Sequence, residues 1–78
     1  MEDRIIQIIE ELTDYRGLQD NKDMDLLDNE ILDSLAFIEL LSQLEEEFQI
    51  EIQPTQIKPE TWRKVERITA LVKSLQHT

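Results

Sequence analysis

Cysteine is absent from this 78-residue chain. That excludes disulfides, thiolate metal sites and a cysteine nucleophile. Histidine occurs once, as His77, one residue from the end of the sequence, where chains tend to fray. With no second imidazole, Ser34 has no evident base to activate it, so an enzyme acting alone is not expected. No apolar run approaches the ~18–20 residues needed to span a bilayer. The opening residues Met1, Glu2, Asp3 and Arg4 lack the basic start and unbroken apolar stretch of a signal peptide. These absences predict a soluble, cytoplasmic protein that does not insert into a membrane.

Basic residues are missing from the middle of the chain. After Lys22 none appears until Lys58, and between them stand Asp23, Asp25, Asp28, Glu30, Asp33, Glu39, Glu45, Glu46, Glu47 and Glu51. Those ten acids account for the whole net charge of -10. Nothing forms a basic stripe, so binding to nucleic acid phosphates is disfavoured. Either the acidic stretch steers basic partner proteins, or it simply keeps a small protein soluble.

What is present points to helices. The 40% apolar content is too high for a disordered acidic tail, and the length suits one domain over residues 1–78, near the lower limit for a self-sufficient core. Ile5, Ile8, Ile9 and Leu12 follow helical spacing, with Ile6 widening the stripe and Gly17 placed to end the helix. Residues 18–32 carry no period; a loop this long is often functional. Leu26, Leu27, Ile31 and Leu32 are expected to pin it to the core. A second helix should start at Asp33-Ser34, either of which can cap it, with Phe37, Leu41, Leu44 and Phe48 facing inward. Phe48, Ile50 and Ile52 alternate, but no partner strand is evident, so the segment reads as a loop. Pro54 and Pro59 bracket Ile57 and leave room for one short helical turn. Val65, Ile68, Leu71, Val72 and Leu75 mark the last helix. The expected fold is all-α: a small bundle of three main helices plus one short helix, with a long first loop.

Metal binding fails a direct test. If Asp23 and Asp25 began a calcium loop, Leu27, Asp28 and Ser34 would fall where a ligand, glycine and glutamate are needed. Asp33-Ser34-Leu35 is the remaining candidate. As a tripeptide it arises by chance in about 3% of chains this long, and an Asp-Ser pair is often no more than a helix cap. Its setting is more specific. A short, acidic, four-helix chain with this triplet opening its second helix resembles the acyl carrier protein family over nearly its whole length. Ile38-Glu39-Leu40-Leu41 and Leu44-Glu45-Glu46-Glu47-Phe48 match the remainder of that family's second helix.

The resemblance implies 4′-phosphopantetheine joined covalently to the Ser34 hydroxyl, with Asp33 in the flanking motif. A phosphodiester there would lie at a helix N-terminus, which favours negative charge, and the arm would supply the thiol the chain lacks. The chain would then be a carrier and co-substrate rather than a catalyst. Leu35 and Ile38 would give partners apolar contacts, and Glu39, Glu45 and Glu46 steering charges.

The C-terminal half resembles the D-alanyl carrier proteins in particular. It has Phe48-Gln49-Ile50-Glu51-Ile52, Ile57, then Pro59-Glu60-Thr61-Trp62, with Ile68 six residues beyond the tryptophan. Asp25-Leu26-Leu27 and Ile31-Leu32 also agree. Three positions depart from that pattern: Glu30 for a usual Gly, Phe37 for a usual Thr, and Lys64-Val65 for a usual Thr-Pro. Trp62 itself is expected to pack. The implied function is to hold D-alanine as a thioester and deliver it for teichoic acid D-alanylation in cell-wall biogenesis. The implied partners are a phosphopantetheinyl transferase, a D-alanine-activating adenylating ligase and a membrane-associated acyltransferase, with the carrier itself a monomer. Bulky core residues, with Ala36 and Ala70 the only alanines, favour a closed core over a fatty-acyl cavity. Two alternatives stay open: a carrier for fatty acid, polyketide or nonribosomal peptide synthesis, and an acidic helical interaction module with no prosthetic group.

Overall fold

The computed structural model describes residues 1–53, 55 and 57–76; Pro54 and His77 lie outside that set. Helix α1 spans Glu2–Thr13, α2 Ser34–Phe48 and α3 Val65–Gln76. There is no strand among the described residues; of the alternating segment, Phe48 is the last residue of α2 and 49–52 leave the helix as a loop. Helix α1 packs on both α2 and α3. Its Ile5, Ile8 and Ile9 are fully buried and Ile6 nearly so, as their spacing predicts.

The first helix ends earlier than its glycine suggests. Thr13 Oγ1 donates back to the Ile9 carbonyl at 2.7 Å, and Asp14 takes the left-handed conformation at φ 57°. Gly17, at φ 95°, instead opens a 3₁₀ turn, Leu18–Asp20, that the sequence pattern does not announce. Glu10 Oε2 accepts from the N–H groups of Gly17 and Leu18, each at 3.1 Å, so one carboxylate holds the turn to α1. Leu18 is fully buried and anchors it.

Leu26 and Leu32 are buried as expected, while Leu27 and Ile31 are only half-buried. The loop between them is organised by backbone. The Leu26 carbonyl accepts from Ile31 at 2.9 Å and from Leu32 at 3.1 Å, and the Leu26 N–H donates to the Arg63 carbonyl at 2.6 Å. Inside this loop Glu30 sits at φ 57°. A residue with a Cβ pays about 1–2 kcal/mol in that region, and glycine avoids this at some cost in unfolded-state entropy. Glu30→Gly should therefore stabilise the protein by up to about 1 kcal/mol, a rise of about 4–8 °C in Tm for a domain this size. Thermal melts followed by circular dichroism measure it; an unchanged or lower Tm counts against strain at this position.

The inward face of α2 is centred differently from its aromatic spacing. Ala36, Leu40 and Leu44 are buried, and Phe37, Leu41 and Phe48 are half-buried at its margins. After Gln49 in the left-handed region, Glu45 holds the exit. Its carbonyl accepts from Ile50 at 3.2 Å, and its Oε2 from Ile52 at 2.9 Å. A second 3₁₀ turn, Pro59–Trp62, starts at the second proline, where the fixed φ and missing N–H are tolerated. Lys64 precedes α3, and its carbonyl accepts from Arg67 and Ile68, both at 3.1 Å. Lysine has no side-chain acceptor to cap that end.

Candidate functional site

Asp33 and Ser34 divide the work at the start of α2. Asp33 is extended at φ -88°, and its Oδ1 accepts from the Ala36 N–H at 2.8 Å. Asp33 is therefore the cap. Ser34 is the first helical residue and is exposed, so its hydroxyl is left for other chemistry. The helix itself offers no acceptor to the N–H groups of Ser34 and Leu35, and the helix dipole places partial positive charge there. An anion esterified to Ser34 fits this end of the helix.

The loop before the serine and the turn that carries Trp62 both contribute to its surroundings. The loop before it is tied to the start of α3 by Arg63, whose Nη1 lies 3.1 Å from Asp25 Oδ2 and 2.9 Å from Asp28 Oδ1. Asp25 Oδ1 also accepts from Leu27 at 3.0 Å and Asp28 at 2.9 Å. The Asp28 N–H, above all, holds the Asp25 carboxyl below its ordinary range; desolvation opposes it, and the Arg63 guanidinium and the Leu27 N–H add to the lowering. A carboxyl shifted this way contributes stability at neutral pH that is lost as pH falls through its lowered value. The Asp25 carboxylate is committed to this clamp and to the loop N–H groups. Sequence reasoning offers no means of pairing it with Arg63, 38 residues away.

On the other side, Trp62 is 3% exposed and meets the Phe37 ring edge to face, centroids 5.1 Å apart at 77°. Phe37, the departure from a usual threonine, thus packs on the tryptophan. Between these two walls an open apolar cleft of about 340 Å³ adjoins the serine, lined by Leu27, Leu32, Asp33, Ser34, Phe37, Ile57, Pro59 and Trp62. The closed core expected from the bulky residues holds deeper in, where Leu40, Leu44, Ile68 and Val72 have no exposure. The cleft at its mouth is not legible in the sequence.

Along α2 the structure separates the residues expected to meet partners. Leu35 and Ile38 are 67% and 62% exposed, large apolar side chains turned to solvent beside Ser34. Glu39 and Glu46 are exposed on the same helix and line a polar groove with Arg4, Ser42, Gln43 and Glu47. Neither has an ion-pair partner among the described residues. Glu47 is paired with Arg4 at 2.9 Å, joining α2 to α1. Glu45 departs from the expectation of a free steering charge: it is half-buried and its carboxylate is committed to the Ile52 N–H. The extended segment after α2 needs an acceptor there, and Glu45 is in reach.

Comparison with known proteins gives this geometry a context. Residues 3–72 match the family model described as "Phosphopantetheine attachment site". The chain is 34% identical to a D-alanyl carrier protein of Abiotrophia defectiva, covering 94% of this chain and 92% of that one. It is 36% identical to one of Streptococcus uberis, over 99% and 96% of the two chains. A third, from Latilactobacillus sakei subsp. sakei, is 30% identical over 97% of each. No helix among the described residues is long and apolar enough to cross a membrane.

Proposed function

Since this chain belongs to the phosphopantetheine attachment site family, and within it to the D-alanyl carrier proteins, we propose that it carries activated D-alanine on a prosthetic arm attached to Ser34. The arm supplies a flexible reach and a terminal thiol, on which the D-alanyl group is held as a thioester. The observation that supports Ser34 most directly is its division of labour with Asp33. The aspartate caps the helix, so the exposed serine hydroxyl has no structural duty to give up. Leu35 and Ile38 flank it, turned outward, and invite an apolar contact from an enzyme working at the serine.

In this reading residues 1–78 act as one monomeric, cytoplasmic carrier domain. Its partners are a phosphopantetheinyl transferase, an adenylating ligase that activates D-alanine, and a membrane-associated acyltransferase that takes it onward to teichoic acid. The chain presents the cargo and does not catalyse the transfers. A small cationic amine is better solvated outside the protein than buried, so selection for D-alanine falls to the ligase.

Docking of the ligase tests the surface assignment. Exposed charges act mainly on association rate and its salt dependence. Reversing Glu39 and Glu46 to Lys should slow D-alanyl loading at low salt by about tenfold or more, with the difference shrinking as salt rises. Helicity should be unchanged. Loading rates that do not move, in a folded variant, leave the acidic stretch as a solubility feature.

A further inference from the structure

Two routes through the structure join Arg63 to Ser34. One runs through the loop. Arg63 Nη1 lies 3.1 Å from Asp25 Oδ2 and 2.9 Å from Asp28 Oδ1, and the Arg63 carbonyl accepts from the Leu26 N–H. The Leu26 carbonyl accepts in turn from Ile31 and Leu32, and the next residue is Asp33, whose carboxylate caps α2 through Ala36. The other route runs through the second 3₁₀ turn. Trp62, the neighbour of Arg63, meets Phe37 edge to face, and Phe37 stands three residues beyond Ser34, where helical side chains are neighbours. The turn is also joined to α3, because the Glu60 carbonyl accepts from the Arg63 N–H at 3.3 Å and from Arg67 Nη1 at 3.1 Å. Asp25 and Asp28 share one guanidinium nitrogen; without it they would face each other as like charges, and repulsion would favour an opened loop.

We propose that Arg63 is a positioning residue for the chemistry at Ser34: it holds residues 25–32 in the form that brings Asp33 onto its cap, and so sets where the serine hydroxyl lies when a phosphopantetheinyl transferase acts on it. The proposal rests on the reading of Ser34 as the attachment point. In the step concerned, the Ser34 oxygen bonds to the phosphorus of coenzyme A that bears the pantetheine. The bond from that phosphorus to the adenosine bisphosphate breaks, and the hydroxyl proton passes to a base of the transferase or to water. A misplaced nucleophile slows such a step steeply. The docking contacts assigned to Leu35 and Ile38 lie on α2 itself, outside the segment that Arg63 orders. Loss of Arg63 should therefore spare association and slow the transfer.

The test follows arm addition by intact mass under single-turnover conditions, with coenzyme A and excess transferase. Arg63→Gln should lower the maximal rate by about tenfold or more, while the half-saturating transferase concentration stays within about twofold. In the same protein before modification, the Ala36 amide should exchange its hydrogen faster, because its acceptor is held less well. Arg63→Lys, whose single nitrogen can take the place of Nη1, should restore most of both. Ile8→Val, a core change in α1, controls for lost stability and should leave the rate unchanged. Transfer at the natural rate in a folded Arg63→Gln protein would overturn the proposal and leave the Ser34 reading intact. A loss that Arg63→Lys does not restore, or that Ile8→Val reproduces, overturns it too. If Arg63→Gln does not fold, Asp28→Asn removes one of the two ion pairs and should show both changes in smaller measure; neither change appearing there also overturns it. A natural protein that gains no arm overturns the attachment reading, and the proposal with it.

Discussion

Ser34→Ala is expected to abolish modification by a phosphopantetheinyl transferase while leaving the fold intact. Intact mass should show a single arm added to the natural protein and none to the variant. Nothing else replaces the lost hydroxyl, because a serine elsewhere does not sit exposed on the first turn of α2. The fold should hardly register the change. Asp33 supplies the cap through Ala36, and alanine is the better helix former, so stability should stay within about 0.5 kcal/mol. Retained modification of Ser34→Ala would move the attachment point. A variant that unfolds would mean the serine has a structural role that its exposure does not suggest.

Trp62→Ala should have the largest effect on stability. The side chain is almost wholly buried, packs edge to face on Phe37 and closes the second 3₁₀ turn. Truncating a core tryptophan costs about 3–5 kcal/mol. Domains near the small end of the range hold little more than that, so the variant should be largely unfolded or melt far below the natural protein. Leu35→Ala and Ile38→Ala are the contrast. Both side chains face solvent, and either change should alter stability by no more than about 0.5 kcal/mol. Urea unfolding followed by circular dichroism distinguishes them. A Trp62→Ala protein that unfolds at the natural urea concentration but loads D-alanine poorly would make the tryptophan a partner contact.

The parts of this structure that sequence makes legible are those governed by local spacing. The isoleucines of α1 and the Val65, Ile68 and Val72 face of α3 repeat at helical intervals, and those side chains are buried. In α2 the signal is blurred because residues 35–38 and 40–41 are all apolar, which leaves the angular centre of the stripe undetermined. The aromatic residues Phe37 and Phe48 draw the eye, but Ala36 and Leu40 take the centre. Helix ends are less legible than helix faces. Gly17 looks like the stop for α1, yet the back-bond of Thr13 and the left-handed Asp14 end it, three residues before the glycine. Least legible are the long-range choices of carboxylates. Ten acids occupy the middle of the chain, and composition does not say that Asp25 pairs with Arg63, that Glu45 holds Ile52, or that Glu39 and Glu46 have no ion-pair partner among the described residues. Such pairings depend on which segments the folded chain brings together.

The same holds for the site. Asp33-Ser34-Leu35 can be found by inspection, and its place at the start of a helix follows from the apolar run after it. The cleft cannot be found that way. Its walls come from residues 27–37 and 57–62, two segments that the Arg63 ion pairs link. Glu30 is an intermediate case. Its departure from glycine is visible in the sequence, but the left-handed backbone that makes the departure costly is not.

Loading the arm-bearing protein is the most direct test of its role. The modified carrier is incubated with ATP, D-alanine and a D-alanyl ligase of this type, in parallel with malonyl or fatty acyl transferases and their donors, and each product is read by intact mass. D-alanine should be added in a hydroxylamine-labile linkage, dependent on the arm and absent from Ser34→Ala, with little or no acylation by the other enzymes. Efficient malonyl or fatty acyl loading, with no D-alanine taken from the ligase, would contradict the assigned cargo.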